Sequence, residues 1–448
     1  MRELTSGNPA KMILAFAVPI VLGSLFQQLY SMTDTVIVGR TIGVDAIAAI
    51  GSTSYISNLI IGFMSGLTNG FAIVTARHFG AGDHVKMRRS VAGTIILGLL
   101  TSAVFTVLSL VFLRPFLAVL NTPPEIFETA YSYISIILTF MTAAMLYNMS
   151  AGVLRAVGDS LTPLLFLILS SFINIGLDIV FITKLHMGVE GAAYATVMSQ
   201  VVSFVLCCVY IAIRFPYLIP KKEEFKVTLS ELSELMTMGL SLALMFSIVE
   251  IGSLILQRAI NNFGTATIAA HTAARKLSSI LMLPYSAFGS ACATYCSQNI
   301  GAGKPERVGK GIKSAVVMCW IWSAIAVIAG YLLAPSFIGL IAGNEETEII
   351  ALASKYMRWN TPFYFILAVL IVMRSSLQGL GKKTVPVASS VIEMIGKAVV
   401  SFIAAPAMGY FGVMISEPVV WFFMTILLVW GYASDRELVK ATFVKESQ

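Results

Sequence analysis

Asp34 is an acidic side chain that closes a run, Met12 to Thr33, containing no charge at all. A carboxylate placed in hydrocarbon costs roughly 2.5–3.5 kcal/mol on insertion scales, so it is rare there unless it meets water, a partner or an ion. At helical spacing Gln27, Tyr30, Ser31 and Asp34 fall at i, i+3, i+4 and i+7, which makes a polar stripe on an apolar helix. Two readings fit: an ion- or proton-binding carboxylate in a cavity between helices, or an interfacial aspartate at a helix end, since Arg40 follows. Asn174 and Asp178 stand at i, i+4 in a later apolar stretch, and Glu250 shares a face with Ser253 and Gln257. Glu393 and Lys397 are i, i+4 in the favourable acid-before-base order and read as a self-neutralised pair. Glu417, followed by Pro418, is expected near the outer interface.

Other chemistries find no footing. The histidines (His78, His84, His186, His271) are scattered and form no metal-protease spacing. Cys292 and Cys296 sit one turn apart without nearby metal ligands, and all five cysteines are expected to be buried thiols that fill space. The Gly-Ala-Gly loops after residues 79 and 300 lack the Walker spacing and follow no strand, so they are not phosphate loops. With no ATPase module, any pumping must draw on an ion gradient. No nucleophile–base constellation supports an enzyme.

The elements that must position these residues follow from composition. Of the 448 residues 57% are hydrophobic and only 12% charged, and the mean hydropathy is +0.85. A soluble fold needs a charged shell that this chain lacks, so it is an all-α polytopic membrane protein. No small-residue cleavage site follows the first apolar run, which is therefore expected to be a span and not a signal peptide. Stretches of about 20 apolar residues give twelve spans, near 12–37, 47–75, 91–113, 126–150, 161–183, 190–213, 232–260, 270–298, 313–335, 348–374, 386–406 and 411–433. Pro19 and Pro284 are expected bend points. Placing both termini in the cytoplasm puts 21 of the 30 Lys and Arg residues on that side, Arg374, Arg436, Lys440 and Lys445 among them, as the positive-inside rule requires. The +7 net charge is thereby explained by the bilayer, with no need of nucleic acid.

The chain also repeats itself. Residues 77–83 (RHFGAGD) recur as 298–304 (QNIGAGK), and 152–158 (GVLRAVG), with Pro163, recur as 375–381 (SSLQGLG), with Pro386. Gly43-x3-Ile47-Ala48-Ala49 recurs as Gly264-x3-Ile268-Ala269-Ala270, and Met187-Gly188 as Met408-Gly409. These landmarks keep an offset of 221 or 223 residues, so the halves are parallel repeats of six spans each. The expected boundary lies in the linker from Arg214 to Lys226, giving an N-lobe of 1–220 (spans 1–6) and a C-lobe of 221–448 (spans 7–12).

At Met32-Thr33-Asp34-Thr35-Val36-Ile37-Val38-Gly39-Arg40, at the paired Gly-Ala-Gly loops and at Leu154-Arg155-Ala156-x-Gly158-Asp159-x3-Pro163, the chain resembles the multidrug and toxic compound extrusion (MATE) family. The likeness covers about the whole chain. It implies two six-helix lobes around a central cleft that alternate between inward- and outward-facing states. It also implies that Asp34, Asn174, Asp178 and Asn148 form one N-lobe cage that takes up the coupling ion, H+ or Na+. Two adjacent carboxylates suit that task, because both cannot carry charge cheaply in a low dielectric. Glu250 matches the glutamate that the sodium-linked branch uses, but span 10 carries no aspartate to complete that site. Glu250, Gln257, Gln27 and Tyr30 are the candidates for binding substrate or cation.

The resulting expectation is a cation-coupled antiporter of a bacterial inner membrane, acting as a monomer among lipids and exporting amphipathic, mostly cationic organic compounds without a cofactor. A lipid-linked-sugar flippase is the alternative, and it would need a basic groove for pyrophosphate that the spans do not supply. A channel or receptor is less apt, since this chain carries its own repeat where channels build pores by oligomer symmetry.

Overall fold

The computed structural model describes residues 4–119, 122–343 and 345–435, all of the regular structure in them being helical. Arg436, Lys440 and Lys445, which entered the sequence reading of orientation, lie outside the described residues. The first half runs α1 (Pro9–Thr41), α2 (Val44–Gly80), α3 (His84–Val119), α4 (Pro124–Thr139), α5 (Met141–Ala156), α6 (Leu161–Asp178) and α7 (Gly188–Arg214). The second runs α8 (Leu229–Ile260), α9 (Thr265–Gly301), α10 (Pro305–Leu332), α11 (Ala334–Ala342), α12 (Thr347–Asn360), α13 (Tyr364–Gly379), α14 (Thr384–Val399), α15 (Ala405–Met408), α16 (Tyr410–Met414) and α17 (Ser416–Ala433).

Among the described residues ten helical segments are long and apolar enough to cross a membrane, and α4 with α5 makes an eleventh, bent by 45°. The twelfth is α9, 37 residues long and rich in Ala, Ser and Thr, so that hydropathy alone passes over it. The sharp bend therefore falls at Phe140, while α1 and α9 continue as single helices through Pro19 and Pro284. Large apolar side chains stand exposed along the outer faces, Val107 and Val111 on α3 and Ile321 and Ile328 on α10 for example. Water would not tolerate apolar surface on that scale, whereas lipid does. Cys208 is among the exposed residues, against the expectation of five buried thiols. A helix turns about 100° per residue, so Cys207 and Cys208 cannot both face inward.

Contacts divide the chain into two units, one of Leu22–Ala243 and one of Leu4–Val21 with Leu244 onward. The division cuts α1 and α8 in mid-helix, where the sequence suggests a single boundary in the linker. Polar ties account for it. In the second unit the Leu4 N–H donates to Gln298 Oε1 (3.0 Å), Asn299 Nδ2 donates to the Leu4 carbonyl (2.9 Å), and Arg307 Nη2 donates to the Gly7 carbonyl (2.9 Å). In the first unit the corresponding end of α2 and start of α3 hold the linker and the start of α8. Arg77 pairs with Glu234 at 3.0 Å, Arg88 with Glu224 at 2.7 Å, and Arg89 with Glu231 at 3.0 Å. Burial works to raise the Glu224 carboxyl, but the Lys221 N–H and the Arg88 guanidinium outweigh it and hold it below the usual carboxylate range. The repeated loops turn on Gly82 and Gly303, whose φ angles of +69° and +67° disfavour any side chain.

Small residues let α8 approach α2 closely. A Cβ on Gly70 would lie 2.5 Å from the Gly239 Cα, and one on Gly66 would lie 2.6 Å from the Ala243 Cα. Such backbone-to-backbone packing is how helices associate where the solvent is as apolar as the side chains.

Candidate functional site

In the first unit α1 runs alongside α6 in the same direction. Gly23 meets Leu164, the Phe26 and Phe172 rings pack edge-on at 5.9 Å, and Val38 joins a cluster with Ile182. Asp34 lies between Phe26 and Val38 as Asp178 lies between Phe172 and Ile182, so the register of two apolar faces brings the two carboxylates level. They lie close enough to interact electrostatically. Two carboxylates in such proximity favour sharing one proton, because an ionised carboxylate only accepts a hydrogen bond.

Asp178 and Asn174 are fully buried, at 0% exposure, and Asp34 is half-buried. With its amide oriented to satisfy both neighbours, Asn174 donates to Asp178 Oδ2 (3.1 Å) and accepts from the Thr196 N–H of α7 (3.2 Å). Oδ1 of each aspartate is buried without a hydrogen-bond partner. The Tyr30 hydroxyl bonds the Thr196 side chain, and both Tyr30 and Tyr133 of α4 lie in the field of the two carboxylates. Immediately after Asp178 the helix widens into a π-turn, Ile179–Lys184. Such turns are frequent at functional sites, because they re-aim side chains at the cost of regular hydrogen bonding.

Two residues expected in or near this cage are not tied to it among the described contacts. Asn148 donates to the Ala144 carbonyl of its own helix (2.8 Å), which uses its amide locally. Gln27 is exposed on α1. Thr196 and Tyr133 were not singled out from sequence. Thr196 is an ordinary polar residue of an amphipathic pattern, and Tyr133 lies in a helix whose tyrosines and serines give no single face away.

The second unit treats its buried charges differently. Lys397 Nζ contacts Glu393 Oε1 at 2.9 Å and Ser253 Oγ at 3.0 Å, so the expected pair is present and reaches back to α8. Arg374, expected at the cytoplasmic end of a span, is a third member, its Nη2 standing 3.6 Å from Glu393 Oε2. Glu417, expected near the outer interface, is buried within the second unit. It forms an ion pair with Arg275 and accepts a hydrogen bond from the Tyr356 hydroxyl (3.2 Å). Beside it His271 Nδ1 and the Tyr410 hydroxyl are bonded at 3.1 Å. At the repeat offset Tyr356 corresponds to Tyr133 and Glu417 to Thr196, the one sequence signal that could have found this cluster.

Glu250 is exposed on α8, with no hydrogen bond or ion pair among the described contacts. Gln257 does not join it: its amide donates to Asn261 Oδ1 (2.8 Å) at the helix end. No group of three His, Cys, Asp or Glu among the described residues could hold a metal ion.

Comparison with known proteins adds the lineage. The MatE family model matches twice, over residues 19–180 and 241–403, once in each half of the chain. Among curated proteins, "Probable multidrug resistance protein YoeA" of Bacillus subtilis (strain 168) is 26% identical over 427 residues, covering 93% of this chain and 92% of its own. "Probable multidrug resistance protein YpnP" of the same organism is 27% identical, covering 85% and 84%. Among solved structures, a MATE crystal structure in the bent conformation superposes with a TM-score of 0.91 at 23% identity, covering 98% of both chains. That likeness establishes the fold.

Proposed function

The chain belongs to the MatE family, a family of multi-pass membrane transporters of small molecules, and from that premise we propose that it is a proton-coupled antiporter exporting amphipathic organic cations. One observation carries the reading. The buried carboxylates of the described chain are Asp178, Glu224, Glu393 and Glu417, and three of them have a cation: Arg88 for Glu224, Lys397 and Arg374 for Glu393, Arg275 for Glu417. Asp178 has instead a second carboxylate, Asp34, and a neutral amide. Two acids sharing a site without a cation bind a proton tightly in one setting and release it when the surroundings change.

In this reading protonation of the Asp34–Asp178 pair neutralises the cage, and deprotonation leaves an uncompensated negative charge that favours an organic cation. The proton and the cation thus stabilise different packings of the first unit, and each shifts the population away from the other. Glu250 supplies a further uncompensated carboxylate for a cationic substrate. Sodium fits less well, since the Asn174 oxygen is turned to the Thr196 N–H and is not offered to a cation. The flippase alternative loses ground for a related reason: Lys397 and Arg374 are both engaged by Glu393, and Arg275 by Glu417, so these cations are already held by carboxylates. The test is Asp34→Asn in proteoliposomes. It should insert and bind substrate but lose gradient-driven export, and normal export would remove Asp34 from the mechanism.

A further inference from the structure

At the end of the second unit remote from the N-terminal segment, α10 and α12 enclose a cavity of about 460 Å³ walled by Tyr331, Lys355, Arg358, Trp359 and Phe363. Lys355 and Arg358 stand one turn apart on α12, both exposed, and neither enters an ion pair among the described residues. Glu345, Glu346 and Glu348 precede them in the chain, and no ion pair with either cation is formed there. Counting at 1.5 Å per residue, Lys355 and Arg358 lie roughly 10–15 Å along the axis from Glu348, and basic side chains of this length can reach along a helix to headgroup phosphates. Trp359 and Tyr331 beside them are the amphipathic rings that settle at a membrane–water interface.

Directly along the same helices lies a groove of about 580 Å³, almost wholly apolar, walled by Trp320, Phe365, Val369, Phe422, Ile426 and Trp430 from α10, α13 and α17. Cavity and groove follow one another at the start of α13: Phe363, in the turn just before it, lines the first, Phe365 of α13 lines the second, and Trp320 Nε1 ties the wall by donating to the Phe365 carbonyl (3.1 Å). A basic pocket continuing into an apolar slot has the shape and polarity of one amphiphile. Its charge is wrong for the cationic compounds proposed as cargo. Its length and its position on a lipid-facing surface are wrong for a soluble anion.

We propose that this face of the second unit is a fixed site for an anionic phospholipid, its phosphate held by Lys355 and Arg358 and one acyl chain lying in the Trp320–Phe365–Trp430 groove. In the orientation that places both termini inside, the lipid belongs to the outer leaflet. The site shares no residue with the Asp34–Asp178 cage and does not depend on the transport reading.

The experiment uses the purified full chain in mixed micelles and reads quenching of its tryptophan fluorescence by brominated-chain phosphatidylglycerol or phosphatidylcholine. Phosphatidylglycerol should quench at lower mole fraction, by on the order of tenfold for two basic contacts. The Lys355→Gln/Arg358→Gln variant should lose that preference while keeping its thermal unfolding profile, since both side chains are exposed. Trp430→Leu should remove part of the quenching by either lipid. Equal quenching by the two lipids in the wild type, or an unchanged preference in the double variant, would overturn the site. Displacement of the lipid by millimolar inorganic phosphate would show that the cavity takes free phosphate, and would overturn the lipid assignment.

Discussion

Replacing Asp178 with Asn should abolish proton-driven export while leaving the fold as stable as before, and Glu417→Gln should do the reverse. Two full negative charges about 4 Å apart repel by about 4 kcal/mol at an effective dielectric near 20, so the Asp34–Asp178 pair gains nothing from being doubly ionised. Asn at 178 keeps an oxygen for the Asn174 amide and strands no cation, so its unfolding free energy should stay within about 1 kcal/mol of wild type. Glu417 is different. Its removal leaves the Arg275 guanidinium beside a neutral amide, and breaking a buried pair costs about 3 kcal/mol, the low end of the usual range because the Arg275 side chain keeps 40% exposure. Denaturation in mixed micelles measures the first quantity, and ethidium efflux from proteoliposomes under an imposed pH gradient measures the second. Asp178→Asn should fall to the leak rate of empty liposomes, and folded Glu417→Gln should still respond to the gradient. Equal destabilisation by the two substitutions, or near-normal efflux by Asp178→Asn, would refute the distinction between an uncompensated working pair and a compensated structural one.

Glu250→Gln should slow export of cationic substrates more than of zwitterions, because it removes an exposed charge that no partner neutralises; equal rates for both classes would leave Glu250 without a role in selectivity. Glu224, held below the usual carboxylate range, stabilises the linker above the unfolded-state pKa, and that contribution is lost as pH falls through its lower folded value. Limited proteolysis of the linker should therefore stay slow from neutral pH down to about pH 4 and rise only below it, whereas Arg88→Ala should expose the linker already at pH 7. Gly70→Val should sharply reduce the yield of monodisperse protein, since its side chain meets the Gly239 backbone, whereas Gly62→Ala, with open space around it, should express normally.

The Asp34–Asp178 pair was legible because its members break an apolar pattern. Asp34 ends a long uncharged run, and Asn174 and Asp178 share a helical face. What brings them together is a register between α1 and α6 set by Phe26, Phe172, Val38 and Ile182, and no spacing within one helix encodes that. The compensated clusters were harder for the same reason. Arg275 and Glu417 meet across 142 residues, and Arg374, at the end of a span, reads as a cytoplasmic-side cation until Glu393 is seen beside it. The six-plus-six repeat was visible in the glycine loops, but the mid-helix division of α1 and α8 was not. It depends on backbone groups such as the Leu4 carbonyl and on ion pairs such as Arg77–Glu234, which hold the first half of each helix.

The most direct test of the account is ethidium efflux by the wild-type chain in proteoliposomes, with a proton gradient and a sodium gradient imposed separately. A proton gradient alone should drive export, and a sodium gradient at equal pH should not. A strict sodium requirement would contradict the proton-sharing pair at Asp34 and Asp178, and a response to neither gradient would contradict coupled antiport altogether.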